Sequence, residues 1–288
     1  MMAELIDRKQ LKADVRELLS ASQVSPRGMA ALYLGLSALL SVVDYLAGGG
    51  NAVPDRNLLG VFVYVLTSLL TAVLSAGFVL YCMAIRRGER AEYLTLFDGF
   101  SFVGKLILLE IVTTFFAFLW SLLFLIPGII ALYRYRFAFF NLYENPGIGV
   151  MEALDMSKRQ TLGYKSQLFV LDLSYLGWAL LACLPLFVML AMVYRALFQI
   201  LAAGPEAFWS LDPGALIAQA IVLPMWCWDL IISVFSLVVG LFYIPNQQCV
   251  TLGYFETAKR TSGVGLGAEP PRLEDDSGNG WTGGWGQM

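Results

Sequence analysis

The sequence predicts an all-α fold, a polytopic transmembrane helical bundle of about six spans with interfacial amphipathic helices, and three observations lead there. Hydrophobic residues make up 58% of the chain and charged ones 14%, against roughly half and a quarter in a soluble domain. The apolar residues come in runs able to cross a hydrocarbon core of roughly 30 Å, about 20 helical residues. The basic residues cluster between those runs, as they do where Lys and Arg are retained on one side of a membrane.

Residues Ala3 to Ser20 are charged and helix-prone, with Leu11, Val15, Leu18 and Leu19 on one face, which predicts an amphipathic surface helix. A secretory signal would place its apolar stretch directly behind a short basic start. Here a mostly polar segment comes first, so the first run, Met29 to Ala47, is expected to persist as an anchor. A polar loop from Gly48 to Asn57 leads to the second run, Leu58 to Ile85, closed by Arg86, Arg87 and Arg90.

The third run extends from Phe102 to Ile126, where Pro127-Gly128 interrupts it as either a kink or a turn. A kink would carry the loop with Lys158, Arg159 and Lys165 to the outside. A turn returns Ile129 to Tyr143 as a short fourth span and keeps that loop inside. Under the turn, only Arg56 and Arg195 of the 19 basic residues lie outside, with Arg134 and Arg136 within the short span. The positive-inside rule therefore selects the hairpin.

The fifth run, Leu168 to Val193, contains Pro185, and a sixth spans Met225 to Tyr243 before Pro245 and a short polar helix. Beyond Thr261 the composition turns to Gly, Pro, Asp and Trp, which predicts a disordered tail. The chain thus divides into a cytoplasmic amphipathic helix at 1–26, a transmembrane domain at 27–260 and a cytoplasmic tail at 261–288.

Several chemistries have no carrier here. Histidine is absent, which removes the usual proton shuttle and the commonest metal ligand. No Walker loop, zinc spacing or Gly-x-Ser-x-Gly elbow occurs, and the glycines from Gly263 to Gly267 follow no predicted strand. The four cysteines, Cys82, Cys183, Cys227 and Cys249, have no Cys-x-x-Cys spacing and read as small packing residues. No enzyme, cofactor or metal is expected. A net charge of −3, with basic and acidic groups in separate places, predicts no nucleic-acid partner.

Charges inside apolar runs carry the sharper expectation, because an ionised group at bilayer depth costs several kcal/mol and seeks a partner or a watery cavity. Glu110, Arg134, Arg136, Asp172 and Asp229 are the candidates for an intramembrane polar site. In a hairpin closed at Pro127, Arg136 falls about 12 Å short of level with Glu110. The plainer alternative has the arginines snorkel to the interface while Asp172 and Asp229 are hydrated there. On the loop, Ile148, Met151 and Leu154 with Lys158, Arg159 and Lys165 suggest a helix on the inner leaflet, meeting anionic lipid. Membrane lipids are thus the expected partners, with a membrane-protein partner as the rival.

The stretch Glu152-Ala153-Leu154, Ser157-Lys158-Arg159, Gly163-Tyr164-Lys165, Phe169 and Leu173 through Trp178 resembles the central motif of a bacterial membrane family, domain of unknown function 975. Leu125-Ile126-Pro127-Gly128-Ile129 and Tyr254-Phe255-Glu256 resemble its other landmarks, so the likeness covers Leu96 to Lys259. The resemblance implies a multi-pass helical fold in a bacterial cytoplasmic membrane, with a cytoplasmic loop before the Gly-Trp span. It brings no activity and no catalytic residues. The leading expectation is a non-enzymatic binding or accessory protein; the alternative is a small-solute or ion transporter with its site near Glu110, Arg134 and Arg136.

Overall fold

The computed structural model describes residues 4–47, 58–123, 125–202 and 225–266, and every regular element among them is helical. In chain order these are α1 (Arg8–Ser20), α2 (Pro26–Ala47), α3 (Leu58–Arg87), a 3-10 helix (Tyr93–Phe102), α4 (Val103–Leu123), α5 (Leu125–Tyr135) and α6 (Ala138–Glu144). Then follow α7 (Val150–Gln160), α8 (Lys165–Leu173), α9 (Leu176–Ala182), α10 (Leu184–Ala202) and α11 (Met225–Ser262).

Among the described residues, four stretches are long and apolar enough to cross a membrane: Pro26–Ala47, Leu58–Arg87, Tyr93–Leu122 and Leu230–Ser262. The pair Lys165–Ala182 and Leu184–Gln199, bent by 57°, makes a fifth if taken as one span. Their most apolar windows bury between 11% and 22% of their residues against protein, and Phe118, Leu122 and Leu230 stand open on the outside. Such faces use lipid as their solvent, which the helix tolerates because its backbone is satisfied internally.

The packed core lies at one end of the bundle. Tyr81, Leu96, Phe137, Leu168, Tyr254 and Phe255 are all essentially inaccessible there, and the Phe255 ring lies 5.5 Å from Phe137 and 5.1 Å from Phe140. The apolar face of α1 turns into this core instead of lying free on a surface: Val15 is buried, and Leu11, Leu18 and Leu19 pack with it. Asp7 starts that helix, its carboxylate accepting from the amides of Lys9 and Gln10 at 2.9 and 3.4 Å. Nearby, α3 and the 3-10 helix meet backbone to backbone. A Cβ on Gly77 would sit 1.8 Å from the Leu96 carbonyl oxygen, and one on Gly99 would sit 2.6 Å from that of Val73.

The chain reverses direction between α4 and α5. A Cβ on Gly128 would lie 2.0 Å from Ser121 Oγ, and the Phe116 and Tyr135 rings are 6.1 Å apart. The turn therefore falls just ahead of Pro127, which occupies the first turn of α5, where an amide hydrogen would have no helical acceptor. The returning strip is not the single helix expected over 129–143. It breaks at Arg136-Phe137, between α5 and α6, and is too short to stand among the four or five long spans of the described residues. The break has a local cause in Ser157, whose hydroxyl accepts from the Phe137 amide at 3.1 Å and donates to the Arg134 carbonyl at 2.9 Å. One side chain thus satisfies a donor and an acceptor freed by the interruption.

Two further expectations change. The run from Leu168 to Val193 is divided among α8, α9 and α10, with Pro185 in the first turn of α10, so the residues before it cannot continue one straight helix. Conversely, α11 runs through Pro245 to Ser262 without interruption. Of the expected tail, Gly263 to Leu266 follow α11 as a turn, and the remainder lies outside the described residues, as does the segment 203–224.

Contacts at the packed end decide the hairpin question. Glu4 meets Arg260 at 3.2 Å, and the Glu4 amide donates to Tyr164 Oη at 3.1 Å. Glu144, at the entrance to the loop, pairs with Arg87 and Lys259. The N-terminal helix, the loop after α3, the loop carrying Lys158 and the end of α11 therefore share one end, as the hairpin requires.

Candidate functional site

The polar groups of this end are arranged as clamps between helices. Glu144, the last residue of α6, is 8% exposed. Its Oε1 accepts from Arg87 Nη2 at 3.0 Å and its Oε2 from Lys259 Nζ at 2.7 Å. One buried carboxylate thereby joins the C-terminal ends of α3, α6 and α11, and each charge is compensated where an isolated one would be costly. Beside it Arg86 forks onto Glu256, at 2.9 Å from Nε and 2.5 Å from Nη2, while its Nη1 donates to the Cys249 carbonyl at 3.2 Å. Such two-pronged geometry suits a planar guanidinium and a carboxylate.

A second layer is neutral. Asn141 Nδ2 donates to Gln160 Oε1 at 2.7 Å and Gln160 Nε2 to Asn141 Oδ1 at 2.8 Å, both residues being fully buried. These bonds seat α7 against α6. Sequence spacing placed Ile148, Met151 and Leu154 on the apolar face of that helix, but the buried side is Ala153, Leu154, Ser157 and Gln160, with Met151 exposed. The helix therefore packs on protein through a mixed face, because Ser157 and Gln160 find buried acceptors and donors that spacing alone does not reveal.

Of the five charges expected to form an intramembrane site, two come together. Arg136 Nη1 and Nη2 donate to the Asp172 carboxylate at 2.5 and 2.9 Å, and Tyr133 Oη donates to the same group at 2.8 Å. The guanidinium also lies 5.6 Å over the Tyr133 ring. Glu110 does not join them: it is exposed on α4 and forms no ion pair among the described residues. The Arg134 side chain is half-buried, and its carbonyl accepts from Ser157. The Asp229 side chain lies outside the described residues.

On the loop, Lys158 pairs with Asp155 at 2.5 Å one helical turn away, and this bond holds the Asp155 carboxyl below the usual carboxylate range. Arg159 is exposed beside it, and Lys165 opens α8. Glu144, Lys259, Asn141 and Gln160 escaped the sequence reading, and Arg87 entered it only as a basic flank of the second run. Their only signal was the Asn141 and Glu144 pair, three residues apart and hence on one helical face, next to apolar neighbours. Among the described residues, no group of three or more Cys, Asp or Glu side chains is close enough to hold a metal ion.

Fold and site together define a membrane-embedded, all-helical protein whose polar side chains knot several helices at one end. The family described as "Protein of unknown function (DUF975)" matches residues 122–262. No curated protein and no solved structure matches the chain. The matched stretch begins just before α5 and ends with α11, so it contains Glu144, Ser157, Gln160, Asp172 and Lys259 but not Arg87 or α1. Several residues that carried the resemblance prove to be packing and clamping groups. Ala153, Leu154, Ser157, Tyr164, Tyr254 and Phe255 are all buried, and Glu256 takes the Arg86 fork. Gly163 supplies a positive φ of 84° in the turn between α7 and α8, a conformation glycine adopts without steric cost.

Proposed function

We propose that this chain is a non-enzymatic membrane protein that acts by binding, as an accessory or assembly factor for lipids or for another membrane protein. It resides in a bacterial cytoplasmic membrane with both termini in the cytoplasm. The observation that carries this reading is the use made of the shielded charges. Glu144 joins Arg87 and Lys259, and Asp172 joins Arg136, each pair linking different segments of the chain. These groups are occupied in holding segments together. The gathering of Lys12, Arg16, Arg86, Arg87, Lys158 and Lys259 toward the end that also holds Glu4 supports the cytoplasmic orientation, since basic flanks are retained on that side.

A transporter built on Glu110, Arg134 and Arg136 would need all three around one cavity, whereas Glu110 is exposed and Arg136 is engaged by Asp172. The test is a flux measurement on the full chain reconstituted in sealed vesicles loaded with protons, potassium or small organic solutes. Leakage equal to that of protein-free vesicles is expected. Solute movement that needs the protein and disappears in both Glu110→Gln and Arg136→Gln would overturn the binding reading.

A further inference from the structure

Between α1, the start of α2, α9 and the middle of α11 lies an open groove of about 680 Å³. One wall is cationic. Lys12, Arg16 and Arg27 line it, and among the described residues no carboxylate does. Lys12 Nζ donates to Ser174 Oγ at 2.7 Å and sits 3.9 Å over the Tyr175 ring, while the Arg27 guanidinium lies 5.4 Å over Phe242. Burial, and then the neighbouring Arg8 and Arg16, lower the pKa of the Lys12 ammonium from its ordinary value.

The other wall is aromatic. Trp178 stacks on Tyr243 with ring centroids 6.2 Å apart and planes 15° apart, and Trp178 and Phe242 are 41% and 55% exposed. Arg27 belongs to the first turn of the spanning helix α2, so the cations sit at the level where an apolar span begins. Indoles and snorkelling cations occupy that depth in a bilayer, beside the phosphates.

We propose that this groove binds an anionic phospholipid, its phosphate among Lys12, Arg16 and Arg27 and its acyl chains along Trp178 and Phe242. Charge selects the occupant: three cations without a carboxylate favour a headgroup carrying net negative charge over a zwitterionic one. The adjoining exposed aromatic wall favours a phosphate attached to hydrocarbon over a free one. The proposal rests on the membrane-binding reading above, but its test measures lipid occupancy instead of flux, so each can fail without the other.

The full chain in a non-ionic detergent is titrated with phosphatidylglycerol, phosphatidylcholine and inorganic phosphate, and bound lipid is counted by native mass spectrometry. Phosphatidylglycerol should bind, phosphatidylcholine should bind far more weakly, and millimolar phosphate should not displace the lipid. At about 1 kcal/mol per basic residue near an anionic surface, the triple variant Lys12→Gln, Arg16→Gln, Arg27→Gln should lose roughly a hundredfold in affinity. The single variants Arg16→Gln and Arg27→Gln should each lose about fivefold, which keeps the test decisive if the triple variant does not fold. Lys105→Gln, on α4 and away from the groove, should leave binding unchanged. Equal binding of the two lipids, displacement by inorganic phosphate, or undiminished binding in the single variants would overturn the proposal.

Discussion

Asn141 and Gln160 exchange two hydrogen bonds, amide to amide, with neither side chain reaching solvent. Through that pair α6 and α7 hold each other, in a part of the chain where an apolar contact would have met the hydrophobic effect equally well. The two amides fix a register, because each bond is satisfied in one relative position of the helices only.

Replacing one partner should therefore cost more than replacing both. Asn141→Leu or Gln160→Leu leaves the other amide buried without its partner, an expected loss of about 1–3 kcal/mol. The double variant should recover part of that loss, and a double-mutant cycle on denaturation midpoints in detergent measures the coupling. Additive losses would contradict the pairing.

Glu144→Gln should destabilise more strongly, by about 3–5 kcal/mol, because Arg87 and Lys259 would then face each other without an anion. Arg87→Ala should cost less, since Lys259 still reaches the carboxylate. Thermal unfolding of the detergent-solubilised chain gives both values. An equal loss in the two variants would mean that the carboxylate does not bridge them.

Gly77→Ala should prevent α3 from seating against the 3-10 helix, since the new methyl would overlap the Leu96 carbonyl. Overpacking of this kind costs about 1–3 kcal/mol or more. Gly104, with nothing within 4 Å of its added Cβ, provides the contrast: Gly104→Ala should be neutral or slightly stabilising. The readout is the yield of monodisperse protein after mild heating, compared between the two variants.

Single cysteines placed at Arg16 and Lys158 should react with a membrane-impermeant thiol reagent from the same side of sealed vesicles. The native Cys82 and Cys249 are fully buried, and Cys183 and Cys227 are replaced by serine to clear the background. Labelling from opposite sides would remove the α4–α5 reversal and every assignment that depends on it.

The helical class and membrane embedding were legible because apolar excess and run length act on the whole chain at once. The reversal near Pro127 was legible too, though only through the distribution of basic residues far from it. The break at Arg136-Phe137 was not. Its cause is the Ser157 hydroxyl, some twenty positions away, and periodicity within the run gives no sign of a distant side chain completing a backbone. The Glu144 bridge was hidden for the same reason, since its three members come from separate stretches that meet only once the helices have packed. Glu110 invited the opposite error: an acidic residue in an apolar run suggests a partner, and Arg136 found Asp172 instead.

The length of α11 has a mechanical consequence. Its 38 residues reach about 57 Å at 1.5 Å per residue, beyond the roughly 40–45 Å of a bilayer with its headgroups. A rod that overshoots the membrane while anchored at one tip by Lys259 and Arg260 is a mast stepped in a fixed socket. Glu144 and Glu4 hold that foot against the neighbouring segments.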